Sequence, residues 1–508
     1  MHRRDFLKTS LAGIASAPWL HSIASDYRFP LNPFTLGIAS GDATEDSVIL
    51  WTRLAPETLK ADGGVPRINI PVHWELSQDE AMSRLVQQGE TLASPVLAHS
   101  VHIDARGLEP NTKYWYRFTA GSQNSPIGCT KTLPSLSSAV DSVRFITTSC
   151  QNYTHGHFSA YAHIVEDRPD FVVHLGDYIY DTSFGETFRQ HESDDPPTTL
   201  NAYRKRHALY KTDTFLKEAH AALPFYTVID NHDAIEDKDP SLFSQRAAAY
   251  QAWYEHMPVR GYQLAGDNHF DLQRLIQLGD LMQINLLDTR QFRDKKDLCR
   301  ENLDPGYAFG NYREQCKALF SEERTMLGRD QEKWLERNFA DGRAAWNVLA
   351  SSGPFLPFRL KKDSTQYRYI GAWDAYPANR RRLANALSQA NGHPLVLSGD
   401  VHSFWAIDGE QDTVPKDQIP IVEFVTSSLS ANWPEPLSKP ITDNLLYNPQ
   451  VQLYDGNHRG YLLHDVNKRE WKTTMRALDD VKNNQSTVRD LASFVVENGK
   501  PSLRRIQK

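Results

Sequence analysis

Phe171-Val-Val-His-Leu-Gly-Asp-Tyr-Ile-Tyr180 joins a short apolar run to a Gly-Asp turn that is followed by aromatic residues. An apolar, β-branched run of this length, ended by a turn signal, is typical of a strand buried on both faces in a parallel sheet. Polar residues directly after such a strand lie at the carboxyl edge of the sheet, where open α/β sheets place their sites. The segment therefore predicts an α/β domain with a site near Asp177 and Tyr180.

Three other segments repeat this arrangement of an apolar strand that ends in polar side chains. They are Ser149-Cys-Gln-Asn152, Asp230-Asn-His-Asp233 and Ser398-Gly-Asp-Val-His-Ser403. Each has an ordinary explanation when taken alone: a buried cysteine, a helix cap, a turn or a surface loop. Four strand ends in one domain, all with oxygen, nitrogen or sulfur donors, indicate instead that the loops converge on a metal site.

The predicted secondary-structure pattern of the chain changes near Asp141. From residue 34 to residue 132, short strand-like runs between turn residues predict an all-β domain. Within it, Leu108-Glu-Pro-Asn-Thr-Lys-Tyr-Trp-Tyr-Arg117 is similar to the tyrosine corner of fibronectin type III sandwiches, with Tyr114 bonded to a backbone group. After Asp141, strand patterns alternate with helical patterns. Helices are predicted at 158–166, 245–254 and 331–339, and a short amphipathic helix at 487–497.

Length and composition describe an ordinary globular protein. At 508 residues the chain is long enough for two domains, and 40% hydrophobic with 23% charged residues excludes a disordered or fibrous chain. A formal net charge of -7 and a pI near 6.3 argue against a stable nucleic-acid partner. After the first residues, the sequence has no apolar stretch long enough for a transmembrane anchor.

Residues 1–24 have the organisation of a secretory signal. Arg3 and Arg4 precede a short apolar, small-residue run, which predicts export by the twin-arginine translocase to the periplasm or the exterior. The alternatives are a tethering helix or a chance arginine pair. Export permits disulfides, and Cys299 and Cys316 bracket a polar segment as a loop staple would. With four cysteines in the chain, the sequence alone leaves three pairings open.

The segments at Asp177, Asn231 and His402 resemble the metallophosphoesterase motifs Gly-Asp, Asn-His-acid and Gly-x-x-His. Cys150 stands where that fold usually has Asp-x-His, and Tyr180 and Asp400 replace an aspartate and a histidine. These departures match the alkaline phosphatase D (PhoD-like) family, which the chain resembles over nearly its whole length after the signal. Further matching segments are Phe34-Thr-Leu-Gly-Ile-Ala-Ser-Gly-Asp42, Leu50-Trp-Thr-Arg-Leu54, Asp288-Thr-Arg-Gln291, Arg324-Thr-Met-Leu-Gly328 and Trp373-Asp-Ala-Tyr-Pro377.

The resemblance implies a fold and a set of ligands. It implies a fibronectin III/Ig-like β-sandwich at 34–135, an α/β (α+β sandwich) metallophosphoesterase domain at 143–480, and a tail at 485–508 whose helix can cover the site. A thiolate and a phenolate suit ferric iron, and carboxylates suit calcium. The implied iron ligands are Cys150, Asp177, Tyr180 and His402, and the implied calcium ligands are Asp177, Asn231 and Asp400. The family more often has aspartate at the position of Asn231.

The implied function is that of an exported alkaline phosphatase or phosphodiesterase. Its substrate is a small-molecule or lipid phosphate ester, attacked by metal-activated hydroxide without a covalent intermediate. Asp177 bridges the ions, and His232 protonates the leaving oxygen or, alternatively, orients Asp177 or Asp230. Three alternatives are a phospholipase-type phosphodiesterase, a non-catalytic binding protein and an iron oxidoreductase. The sequence does not identify the natural substrate.

Overall fold

The computed structural model describes residues 27–234, 240–260, 264–265, 269–296, 298–299, 312–409, 420–433, 435–500 and 502–506. The predicted signal peptide at 1–24 lies outside the described residues. In chain order the strands are β1 (Ile38–Gly41), β2 (Ser47–Arg53), β3 (Ile70–Ser77), β4 (Leu85–Ala93), β5 (Ser100–Arg106), β6 (Lys113–Ala120), β7 (Gln123–Asn124), β8 (Gly128–Lys131), β9 (Ser142–Thr148), β10 (Phe171–His174), β11 (Pro224–Thr227), β12 (Leu264–Ala265), β13 (His269–Phe270), β14 (Arg274–Leu278), β15 (Met282–Leu286), β16 (Tyr312–Glu314), β17 (Trp346–Ala350), β18 (Leu360–Lys362), β19 (Thr365–Tyr369), β20 (His393–Ser398), β21 (Phe404–Ile407), β22 (Val422–Val425), β23 (Val451–Asp455), β24 (Gly460–Asn467), β25 (Glu470–Leu478), β26 (Val488–Glu497) and β27 (Leu503–Ile506). The described α-helices are α1 (Ala160–Glu166), α2 (Leu200–Tyr210), α3 (Thr214–Ala222), α4 (Phe243–His256), α5 (Arg329–Asp341), α6 (Pro377–Gln389) and α7 (Ser438–Asn444).

Two large mixed sheets build most of the molecule after residue 141. One has the order β27-β26-β25-β24-β9-β10-β11-β1-β2-β5, and the other has the order β14-β15-β17-β20-β22-β21-β23. The neighbours β9, β10, β11 and β1 are parallel, as are β15, β17, β20 and β22. The strands predicted from the apolar runs therefore lie in the centres of these sheets.

The two sheets pack face to face with helices on their outer sides. The alternation of side chains along β10 shows why, because Phe171 and Val173 belong to the core between the sheets, while Val172 packs with the helices α1 to α4. On the second sheet, Val396 of β20 packs with α5 and α6. The result is a helix–sheet–sheet–helix sandwich, and the predicted α/β class with an α+β sandwich is confirmed.

The amino-terminal strands form a sandwich that shares one of the two large sheets. A five-stranded sheet of β3, β4, β6, β7 and β8 packs on β1, β2 and β5. These last three strands continue the large sheet, since Ser40 of β1 pairs with Pro224 of β11. The tyrosine corner is present, because the Glu109 N–H donates to the Tyr114 hydroxyl at 3.0 Å.

The helix predicted at 487–497 is wrong. This segment is strand β26, which runs antiparallel to β25. Val488 lies opposite Leu478 at one end and Glu497 lies opposite Glu470 at the other, and β27 pairs with the other edge of β26. Ala492, Phe494 and Val496, at every second position, pack into the hydrophobic core, which is the period of a strand. The free edge of β25 supplies the hydrogen bonds. The described part of the predicted tail thus extends the large sheet with β26 and β27 rather than providing a helix to cover the site.

The predicted disulfide between Cys299 and Cys316 is confirmed, with 5.9 Å between the Cα atoms. The other two cysteines are free, Cys129 half-buried and Cys150 buried.

Candidate metal centre

The four polar strand ends meet at the carboxyl edges of the two sheets. The loops after β9, β10 and β11 come from adjacent strands of one sheet, and the loop after β20 comes from the other. They surround a cavity of about 250 Å³ whose walls include Asp177, Asn231, His232, Asp400 and His402. Cys150 and Tyr180 are fully buried beside it.

Soft and hard donors lie together on one side of the cavity. Cys150, Asp177 and His402 each offer a ligand atom, and these atoms lie within 4.8 Å of one another. The Tyr180 hydroxyl is 3.2 Å from Asp177 Oδ2 and 2.9 Å from His402 Nε2. All four residues predicted as iron ligands are therefore brought together.

The backbone fixes the imidazole of His402 in the orientation that a ligand needs. Its Nδ1 lies 2.7 Å from the Asn432 carbonyl oxygen, which can only accept a hydrogen bond. Nδ1 therefore carries the proton, and Nε2 keeps its lone pair. Burial lowers the pKa of His402 to about 3, so the ring is neutral at physiological pH.

A second group, made of carboxylates, shares Asp177 with the first. Oxygen atoms of Asp177, Asp230 and Asp400 lie within 4.8 Å of one another. The Arg290 guanidinium is in contact with Asp230 and lies 3.4 Å from Asn231 Oδ1. Asn231, the predicted calcium ligand, lines the same cavity. Asp230, which was not predicted as a ligand, belongs to the carboxylate cluster.

Asp233 ties two of the loops together from behind. One of its carboxylate oxygens accepts the backbone N–H groups of Tyr178 and Ile179, and the other accepts that of Asp230. A side chain at Gly176 would bring its Cβ within 2.4 Å of the Asp230 Cβ, and its φ of +103° is unfavourable for other residues. The close approach of the two loops therefore needs glycine there and aspartate at position 233.

Four of the predicted ligands have an unfavourable backbone conformation. Cys150, Asp177, Asp400 and His402 have φ values of 55°, 53°, 70° and 47°, in the left-handed region that non-glycine residues seldom adopt. Such conformations cost on the order of 1 kcal/mol or more each and persist where the surroundings enforce them, often at functional sites. Seven other described non-glycine residues also have positive φ, so the strain agrees with a functional role of these four residues but does not by itself identify the site.

His232 stands at the rim of the cavity in a fixed orientation. Its Nδ1 lies 2.6 Å from Asp181 Oδ1, and its ring stacks on that of Tyr180 with 4.2 Å between centroids. Its backbone N–H donates to Asp177 Oδ1 at 3.1 Å. Burial lowers the pKa of His232, but the carboxylates of Asp177 and Asp181 outweigh it and raise the pKa to about 9.

The raised pKa values of the buried acids at this centre favour their protonated forms when no cation is bound. Burial and the neighbouring carboxylates raise the pKa of Asp177 well above its usual range, and burial raises that of Asp400 to about 6. Burial, followed by the charge of Asp177, also raises the pKa of the Cys150 thiol. Cations bound among these groups would reverse the balance by stabilising the ionised forms.

Sequence reasoning missed three parts of this environment. Asp181 orients His232, Arg290 neutralises Asp230, and the Tyr369 hydroxyl donates to Asp400 Oδ2 at 2.5 Å. Arg290 lies in Asp288-Thr-Arg-Gln291, one of the segments that match the family, so the sequence contained a signal for it. Tyr369 carries no local signal, because its approach to Asp400 depends on how β19 packs.

Comparison with known proteins gives the same result over nearly the whole chain. The sequence model of the PhoD-like phosphatase family matches residues 145–475, and that of the PhoD-like phosphatase N-terminal domain matches residues 21–134. Alkaline phosphatase D of Bacillus subtilis (strain 168) is 39% identical over 500 residues, which cover 94% of this chain and 83% of the relative.

Solved structures agree in fold. A structure of PhoD is 37% identical, with a TM-score of 0.86 over 95% of this chain and 93% of that chain. The purple acid phosphatase PPD1 from yellow lupin seeds shares the fold at 12% identity, with a TM-score of 0.57 over 92% of this chain and 75% of its own. With the ligand-type residues gathered at the same sheet edge, these matches show that the chain belongs to the PhoD-like phosphatase family and is a phosphoric ester hydrolase of the alkaline phosphatase D type.

Proposed function

We propose that the protein hydrolyses phosphate mono- or diesters by direct attack of water on phosphorus, with ferric iron and calcium held at the two donor clusters. The observation that supports this most is that both clusters share Asp177. A carboxylate common to two ligand sets is suited to hold two ions next to one another. When bound, such ions supply Lewis acidity that activates water and neutralises the charge of the phosphate.

The donors of the first cluster fit ferric iron. Cys150 and Tyr180 would supply a thiolate and a phenolate, and both anions are stabilised by a strongly acidic metal ion. His402 would add the lone pair of Nε2, and Asp177 a carboxylate oxygen. Burial raises the pKa of the Tyr180 phenol well above its usual range, so only a bound cation makes the phenolate available in this position.

The donors of the second cluster fit calcium. Asp177, Asp230 and Asp400 are acidic oxygen ligands, the kind that calcium prefers, and the Asn231 amide oxygen faces the same cavity. Among the described residues, the buried Oδ2 atom of Asp230 has no hydrogen-bond partner. A buried carboxylate oxygen without a partner is costly, and a cation would satisfy it.

The chain's own contribution to the reaction is a proton at the leaving oxygen. Asp181 engages Nδ1 of His232 and stabilises the imidazolium, which leaves Nε2–H as the donor. Tyr180, stacked on the ring, restricts its rotation.

Metal analysis combined with one activity assay tests the proposal. The purified protein should hydrolyse nitrophenyl phosphate and contain iron and calcium. Asp177→Ala should lose activity and both metals, because it removes the ligand common to both clusters. Asp465→Ala is the matched control, since Asp465 pairs with Arg144 on β9, away from the site. An active Asp177→Ala enzyme would contradict the shared-ligand site.

Export by the twin-arginine route is also part of the proposal. It rests on Arg3 and Arg4, and no helix of the described residues is long and apolar enough to cross a membrane. Replacing both arginines by lysine should leave the precursor in the cytoplasm, whereas Lys8→Arg should not. Unchanged export of the double variant would reject this route.

A further inference from the structure

A second, apolar cavity adjoins the metal centre. It has a volume of about 50 Å³ and shares four of its walls, Tyr312, Tyr369, Val401 and Trp433, with the cavity that contains the predicted ligands. One of these residues, Val401, lies between Asp400 and His402 in the chain. Another, Tyr369, donates its hydroxyl to Asp400. The two cavities are therefore neighbours, and the residues that line both of them lie beside Asp400.

The inner walls of this cavity are almost entirely hydrocarbon. They come from side chains of β21, β22 and α7 and from the segment after β17, and they include Leu356, Phe358, Trp405, Ile407 and Ile441. The charged residue in the wall, Asp374, is paired with Arg380 at 2.5 Å and Arg368 at 3.4 Å. The Trp405 indole N–H is bonded to Ser403 at 2.8 Å. The polar groups of Asp374 and Trp405 are thus engaged within the protein, and the hydrocarbon side chains are left to face an apolar ligand.

We propose that this cavity is a specificity subsite for a short apolar group on the substrate phosphate. The inference rests on the proposed function, because it assumes that the phosphate is held at the adjoining metal centre. The substrate class it favours is a phosphate ester with a compact alkyl group of about three carbons next to the ester oxygen. A polyol or a sugar in this position loses the hydrogen bonds of its hydroxyl groups without replacement.

The size of the cavity sets an upper limit on this group. Engineered cavities of about 150 Å³ hold a benzene ring, and this one is a third of that size. It therefore accommodates a few methylenes, not an aromatic ring or the length of a lipid acyl chain. The geometry thus disfavours a phospholipase in which the acyl chain enters this cavity. Each buried methylene should strengthen binding by roughly fourfold.

Alkylphosphonates test the subsite without depending on turnover. Methyl-, propyl-, hexyl- and 2-hydroxyethylphosphonate carry the same charged head and differ only in the attached group. Binding to the metal-loaded protein is measured by titration calorimetry, and inhibition of nitrophenyl phosphate hydrolysis is measured in parallel. Propylphosphonate should bind at least tenfold more tightly than the methyl and 2-hydroxyethyl compounds, and hexylphosphonate more weakly than propylphosphonate. Affinities within threefold of one another would overturn the proposal.

Ile441 offers a pair of opposite substitutions. It lies on the short helix α7, is buried, and lines the apolar cavity but not the metal-centre cavity. Ile441→Phe should fill the space and reduce the preference for propyl over methyl to less than threefold. Ile441→Ala should move the preferred chain length upward by one or two carbons. Both should hydrolyse nitrophenyl phosphate, and thermal melting shows whether each is folded.

The outcomes separate this inference from the proposed function. A protein that hydrolyses nitrophenyl phosphate but binds all four phosphonates equally has the proposed function without the subsite. If the metal-loaded protein neither hydrolyses nitrophenyl phosphate nor binds methylphosphonate, the proposed function fails, and the inference fails with it. An unchanged propyl preference in folded Ile441→Phe would place the alkyl group elsewhere and overturn the assignment of this cavity.

Discussion

Replacement of His232 by asparagine distinguishes a proton donor from a residue that only supports the centre. The His232 backbone N–H, not its side chain, contacts Asp177, so the substitution leaves that hydrogen bond in place. An asparagine amide can still bond to Asp181, which preserves the local packing. Metal content should therefore be unchanged, while the acidic proton is lost.

The expected loss depends on how much the leaving oxygen needs a proton. General acid assistance is typically worth ~10²–10⁴-fold, or about 3–5 kcal/mol of barrier. An alkyl alcohol leaves poorly as an alkoxide, whereas nitrophenolate leaves without help. His232→Asn should therefore lower kcat/KM for alkyl phosphates by that factor. The loss in kcat/KM for nitrophenyl phosphate should be at least tenfold smaller.

The pH profile gives an independent measure of the same group. Asp181 is one of the carboxylates that raise the pKa of His232 to about 9. In Asp181→Asn the protonated imidazole loses this support, so the pKa falls. The alkaline limb of the alkyl phosphate profile should then move to lower pH by on the order of one unit. Steady-state kinetics on both substrates, with metal analysis of each variant, provide the data. Equal losses on the two substrates would show that His232 acts on the phosphate charge or the metal ligands instead.

Three further predictions concern the metals and a buried lysine. Iron-loaded wild-type protein should be coloured by charge transfer from its thiolate and phenolate, and Cys150→Ser should shift the band; an identical spectrum would exclude Cys150 as a ligand. A calcium-selective chelator should abolish activity and calcium alone should restore it, whereas recovery with zinc only would reject calcium. Lys211 is buried over the ring of Trp51, and burial lowers its pKa from 10.5 to about 7. Between pH 7 and 10.5 Lys211 is protonated in the unfolded chain and neutral in the folded chain. The free energy of unfolding therefore rises with pH over this range because of this group. Lys211→Met should flatten that rise, as seen in melting temperatures from pH 7 to 10; parallel curves would refute it.

The strand ends were predictable because their signal is local. An apolar run followed by donor residues specifies both a buried strand and the position of its loop, and the parallel pairing of β9, β10 and β11 then brings the loops together. The contacts of Asp181, Arg290 and Tyr369 join segments far apart in the chain, so no window of sequence contains them. The error at 487–497 has a related cause. The segment has mixed propensity, and the neighbouring edge of β25 decides its conformation.

The sheet that runs through both halves of the molecule determines when the chain can finish folding on the ribosome. Ser40 of β1 needs Pro224 of β11 as its neighbour, so at about 5–20 residues per second the first strand waits on the order of ten to forty seconds for its partner. The strand β9 in turn pairs with β24, as Thr147 faces Leu462, and β24 is made almost last. The nascent chain therefore presents open strand edges throughout most of its synthesis. A chaperone that shields these edges until release would prevent their aggregation, and truncating the carboxyl-terminal strands should leave an insoluble product rather than a smaller enzyme.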